Sequence, residues 1–270
     1  MIKTGFVQFS PVFGDVTGNV KKALGMAAAS GAGIVVLPEL FSTGYLFESR
    51  EELQGLAEPP DGPTVSAACR LAAARKMWIC GGFAEKGASG CYNAAFLAGP
   101  AGLAGVYRKS HLFAGEKDLF LPGDTGFNVI DTGLAKVGMM ICFDWIFPEL
   151  ARSLAIQGAD ILCHPANLVL PYCQDAMITR CIENRVFAAT ANRTGVEERA
   201  GQRLAFTGMS QIVAQNGRVL ARAGGDRDDV LLAEIAPWDA REKWVTPANH
   251  VLADRRPLLY TLGAVESRGR

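Results

Sequence analysis

The chain is poor in the residues and runs that mark several large classes of protein. It has three histidines in 270 residues. None of His111, His164 and His250 sits in a motif that would pair it with a cysteine in the papain manner. The seven cysteines, at 69, 80, 91, 142, 163, 173 and 181, are odd in number and include no CxxC pair. That spacing opposes both a disulfide framework and a zinc cage. No GxSxG elbow marks a serine hydrolase, and no GxxxxGK loop marks a phosphate site. The SGAG stretch at 30–33 lacks the third glycine of a dinucleotide fingerprint and precedes a strand instead of following one. His164 has no spaced ligand partners, so neither a metal nor a cofactor is expected. No apolar run approaches the roughly 20 residues that cross a membrane. The N-terminal MIKTGFVQFSPVF alternates like a strand and has no signal-peptide h-region. Charge is also lacking in net terms: 27 Lys and Arg balance 27 Asp and Glu, so nothing draws nucleic acid or an acidic membrane. The expectation is a cytoplasmic globular protein that handles a small, mostly neutral molecule.

What is present is strong α/β patterning. Hydrophobic residues make up 49% of the chain, enough for a sizeable core. Strand-like runs near 3–9, 33–38, 78–84, 93–98, 103–108, 127–131, 136–141, 160–164, 188–192, 210–215, 218–223 and 229–235 alternate with helical patterns near 17–30, 64–76, 147–157 and 175–187. Gly99-Pro100-Ala101-Gly102 and Asn216-Gly217 read as hairpin turns, which makes the sheet mixed. Composition does not shift across the Gly- and Pro-rich loops, so residues 1–270 read as one domain. The segment after about Trp244 shows little periodicity of either kind and reads as a tail.

Three of the apolar runs end in a single ionisable residue. GIVVLP precedes Glu39, LAGVYR precedes Lys109, and KVGMMI precedes Cys142, which is followed by Phe143-Asp144-Trp145 and a helix starting near Pro148. Taken singly, a Glu after a strand is a solvated loop residue, Lys109 is half of a basic pair, and a cysteine is a core thiol. Together they predict one convergent site. A thiolate attacks an amide or nitrile carbon well, a desolvated carboxylate can take its proton, and an ammonium can hold the charge that builds on oxygen. The backbone N–H of Phe143 is a second candidate for that charge.

The segments LPELFSTGY, YRKSHLF and GMMICFDWIFPEL resemble, in order and spacing, the three signature segments of the nitrilase superfamily of carbon-nitrogen hydrolases. The likeness runs from GFVQFSP to DRRP and takes in HPANLVLPY and ENRVFAATANR. It implies a four-layer αββα sandwich with mixed sheets, Glu39 as general base, Lys109 as stabiliser of the intermediate and Cys142 as nucleophile. It also implies that Glu116, in HLFAGEKDLFLPGD, holds Lys109 and helps position substrate. Tyr45 in TGY, Asn167 in HPANL and Phe143 are expected to line the pocket, with Trp145 beside them. The resemblance further implies a homodimer or higher homo-oligomer, with residues 244–270 at a subunit interface. The expected reaction is conversion of a small amide to carboxylate and ammonia through a thioester. A nitrile substrate is the second expectation and an N-carbamoyl compound the third. Acyl transfer to an amine and a catalytically silent binding scaffold are the competing readings.

Overall fold

The computed structural model describes residues 1–199 and 201–263. A first six-stranded sheet contains β1 (Ile2–Gln8), β2 (Ile34–Val36), β3 (Trp78–Lys86), β4 (Cys91–Gly99) and β5 (Gly102–Arg108). A second contains β6 (Val129–Asp131), β7 (Lys136–Met139), β8 (Ile161–Ala166) and β9 (Phe187–Asn192). The hairpin of β10 (Val196–Arg199) and β11 (Gln202–Ala205) stands apart. The strands β12 (Gln211–Val213) and β13 (Val219–Arg222) complete the second sheet, and β14 (Asp229–Ile235) returns to the first. The sheet orders are β14-β1-β2-β3-β4-β5 and β13-β12-β9-β8-β7-β6. Both mix parallel and antiparallel pairs, as the two hairpin turns predicted.

The helices α1 (Val16–Ser30) and α3 (Pro63–Arg75) cover the first sheet, and α5 (Pro148–Ile156) and α6 (Cys173–Asn184) cover the second. Strand alternation sorts the core into layers. On β2, Ile34 and Val36 face the other sheet while Val35 and Leu37, just beyond it, face α1 and α3. A strand covered on both sides needs apolar residues throughout, which is why GIVVLP reads as an unbroken run. The result is the expected four-layer αββα sandwich.

Short elements escaped the periodicity. They are α2 (Arg50–Leu56), α4 (Glu116–Leu119), α7 (Pro237–Arg241), the β10–β11 hairpin, and the two-stranded β15 (Trp244–Thr246) and β16 (Asn249–His250) in the expected tail. The helix expected over 175–187 stops at Asn184, because Arg185 turns left-handed at φ 48° and Phe187 already belongs to β9. Lys243 closes that end by donating its ammonium to the carbonyls of Asn184 and Arg185, both at 2.9 Å. Of the tail expected at an interface, residues 264–270 lie outside the described residues.

Candidate functional site

Glu39 follows β2 on a loop stitched to β3. Gly82 donates its N–H to Pro38 O, and Phe41 donates to Gly82 O, both at 3.1 Å, so the glutamate is held between two backbone bonds. A Cβ at Gly82 would lie 2.5 Å from Glu39 Cα, so only glycine lets the loop come this close. Lys109 follows β5 and donates its backbone N–H to Asn93 O at 2.8 Å. The same Asn93, on β4, donates its side-chain amide to Glu39 Oε1 at 2.7 Å. One asparagine therefore registers both charged residues.

The Lys109 ammonium donates to Glu39 Oε1 at 2.7 Å and to Glu116 Oε1 at 2.8 Å. Glu39 and Lys109 are fully buried and Glu116 nearly so. Glu116 opens α4 and accepts from the Tyr45 hydroxyl at 2.6 Å and from the Phe113 N–H at 3.1 Å. Burial alone would depress the lysine, but Glu116 and Glu39 outweigh it and hold the ammonium well above its ordinary pKa. Burial raises Glu39 above its ordinary value against the opposing pull of Lys109. Glu39 Oε2 is buried and has no hydrogen-bond partner. Burial also pushes the Tyr45 phenol up, reinforced by the Glu116 charge.

Cys142 comes from the other sheet, just beyond β7, and opens a 3₁₀ turn (Cys142–Ile146) in place of further strand. Its backbone is left-handed, φ 42°, a conformation uncommon outside glycine. Two buried residues hold it there. Asp144 Oδ2 accepts the Ile141 N–H at 2.8 Å and the Tyr107 hydroxyl at 2.9 Å. His164, on β8, lies 3.0 Å through Nε2 from the Cys142 carbonyl and 3.1 Å through Nδ1 from Thr190 Oγ1. A carbonyl only accepts, so Nε2 carries the proton and Nδ1 accepts from the threonine. Burial pushes the pKa of His164 down to about 4, so the ring is neutral.

The Cys142 thiol is pushed well up by burial and by the nearby Glu39 charge, with Lys109 opposing and the Asn167 backbone N–H bonded to it. The Asn167 side chain is 3% exposed, and both its amide nitrogen and its oxygen lack partners. It lines a small cavity with Cys142, Phe113, Phe143, Trp145 and Leu168. Tyr45 lines a neighbouring cavity with Glu116.

The residues singled out in the sequence are thus gathered around one place, with Glu39, Lys109 and Asn167 just beyond strand ends, Cys142, Phe143 and Trp145 in the 3₁₀ turn after β7, Glu116 on α4 and Tyr45 on the loop after β2. The sequence reading passed over Asn93, Phe113, Tyr107, Asp144 and the structural task of His164. It also passed over Glu197, which accepts the N–H groups of Tyr45 and Leu46 and pairs with the fully buried Arg193. Asn93 left a readable signal, as a lone amide in an apolar strand needs a buried partner. The others are spread too far along the chain for local pattern to join them.

A four-layer αββα sandwich that seats a buried Glu-Lys-Glu network beside a cysteine at a strand end has the architecture of the nitrilase superfamily. The chain belongs to the carbon-nitrogen hydrolase family, whose profile matches residues 3–243. It is 45% identical over 264 residues to a nitrilase of Pyrococcus abyssi, covering 96% of this chain and 99% of that protein. It is 35% identical to the N-carbamoylputrescine amidase of Solanum lycopersicum, over 91% of this chain and 89% of the other. Among solved structures, a carbon-nitrogen hydrolase from Helicobacter pylori G27 superposes with a TM-score of 0.86 at 28% identity, covering 96% of each chain.

Proposed function

We propose that this protein is a thiol amidohydrolase that converts a small primary amide to a carboxylate and ammonia through a thioester on Cys142. The carrying observation is Glu39 Oε2, buried without a partner, on a carboxylate whose charge raises the pKa of the Cys142 thiol. A thiol kept protonated by burial, near a carboxylate with a free oxygen to take that proton, forms an acid–base pair awaiting an electrophile.

In the first step the sulfur bonds to the amide carbon, the thiol proton passes to Glu39, and the C=O π pair becomes an oxyanion. Lys109 and the Phe143 N–H face that charge, the latter because the first N–H groups of a helical turn have no acceptor within it. Collapse breaks the C–N bond, and Glu39 returns the proton to nitrogen, which leaves as ammonia. Water then gives a proton to Glu39 and attacks the thioester. The C–S bond breaks, and sulfur takes the proton back. Glu116 and Tyr45 keep Lys109 charged and aimed. The unpaired Asn167 amide supports a role in holding the acyl group, because a bound substrate supplies the partners it lacks.

Nitriles are the second reading, favoured by the name of the relative at 45% identity. Thiol addition to a nitrile gives a thioimidate, which water converts through the same thioester. N-carbamoyl compounds come third, since the lining next to Cys142 carries no charged side chain for an ionic tail. Ammonia release across a panel of amides, nitriles and carbamoyl compounds tests the proposal, with Cys142→Ala expected to abolish it. Glu39→Gln is expected to accumulate an acyl mass on Cys142. A wild-type protein that binds these compounds but turns none over would instead be a scaffold. Carboxylate replaced by a substituted amide when an amine is added would make it an acyl transferase.

A further inference from the structure

The free space next to Cys142 is about 10 Å³, close to what one water molecule occupies. A second cavity, of about 260 Å³, has Tyr45 and Glu116 in its wall together with the apolar side chains of Phe47, Phe120 and Leu204. Phe113 lines both. We propose that the Phe113 ring is the partition that sets substrate length: it confines Cys142 to amides with short acyl groups and separates the thiol from a chamber able to take a longer chain.

This deepens the amidohydrolase reading and rests on it for the identity of the substrate. The ring suits a partition because its backbone is fixed while its face is not locked. The Phe113 N–H is held by Glu116 Oε2, so the residue keeps its place relative to the Lys109 network. The ring itself is half-buried and leans on Phe143, with centroids 5.1 Å apart. The next residue, Ala114, is exposed and left-handed at φ 46°, which turns the chain sharply out of the site. Phe143, Val169 and Leu170 line the space at Cys142 but not the larger cavity, so they do not stand between the two. Trp145 and Leu168 are packed into the main core at 7% and 3% exposure.

The test is kcat/KM for straight-chain primary amides from acetamide to hexanamide in wild type, Phe113→Ala and Phe113→Trp. The alanine variant is expected to favour hexanamide over acetamide by about tenfold or more relative to wild type, the order of effect that pocket methylenes carry. The tryptophan variant is expected to move the preference the other way. A second measurement needs no turnover: labelling of Cys142 by N-ethylmaleimide and N-hexylmaleimide, read by mass with Cys142→Ala as the blank. In that reaction sulfur adds to one alkene carbon and the thiol proton ends on the other. Phe113→Ala is expected to raise the hexyl-to-ethyl rate ratio. Ammonia release with both ratios unchanged overturns the partition and leaves the amidohydrolase reading intact. A shifted maleimide ratio with no hydrolysis of any amide overturns the amidohydrolase reading and supports the partition.

Discussion

In the proposed reaction Glu39 and Cys142 form the reactive pair, and that chemistry turns on which of them holds the proton at rest. Both pKa values are raised, first of all by burial, so the thiol keeps its proton and the carboxylate gives up its charge more readily than in water. A base is idle when protonated. Since the Glu39 pKa lies above its ordinary 4.5, activity is expected to fall as pH drops through a midpoint higher than that value. A kcat/KM profile with its acid limb at or below 4.5 would remove Glu39 from the role. Lys109 makes the complementary case. Its ammonium is bonded to Glu39 and Glu116 at once, and its removal leaves two buried carboxylates facing each other without a cation. Lys109→Ala is therefore expected to cost roughly 3 kcal/mol or more in transition-state stabilisation, a loss of at least about a hundredfold in kcat. Wild-type rates in a folded Lys109→Ala protein would show that the developing charge is held elsewhere.

At the scale of elements, the site depends on a left-handed turn at the end of β7 that a neutral histidine helps to hold. In the unfolded chain His164 has an ordinary pKa of 6.5, whereas burial lowers the folded value to about 4. Between these values the unfolded state binds the extra proton, so stability falls as pH drops from 6.5 toward 4 and does not change from this source above 6.5. The total is about 3 kcal/mol for a separation of this size. Urea unfolding at pH 7 and pH 5 is expected to show a loss that is smaller in His164→Asn, which has no ring to protonate. An identical loss in the variant would mean that other groups carry the acid sensitivity. The same turn shows where sequence reading succeeds and stops. The runs before Glu39 and Cys142 were legible because strands covered on both faces are apolar throughout, and their ends then stand out as the first polar positions. Lys109, by contrast, ends the half-exposed edge strand β5 behind Arg108 and was legible only through the likeness of YRKSHLF to a signature segment. The 3₁₀ turn after Cys142 was not legible, since its own Asp144 is joined by Tyr107 and His164 from two distant parts of the chain in holding it. Four-residue α4 was hidden for a similar reason: its place comes from Glu116 meeting Lys109, not from any repeat.

Over the whole molecule, the described residues beyond Lys243 contribute nothing to the three apolar clusters, whose C-terminal-most member is Ala240. Yet it displays large apolar side chains to solvent. Trp244 is 49% exposed, Leu259 65%, Leu262 75% and Leu258 fully so. On the face it borders, Ile156 of α5 is also exposed. Arg152, Arg255 and Tyr260 surround a cavity of about 350 Å³ in which one Arg152 nitrogen is buried without a partner. An apolar, incompletely satisfied surface of this kind fits burial against another protein surface better than permanent contact with water. Since the segment is dispensable to the core, its use is expected to lie in self-association, through an interface that pairs this face with its copy. The full chain is expected to sediment as a dimer or larger assembly at micromolar concentration, and a chain ending at His250 to sediment as a monomer with unchanged far-ultraviolet circular dichroism. A full-length monomer at those concentrations would leave the tail without this function. A truncated chain that remained dimeric would place the interface on the helices alone.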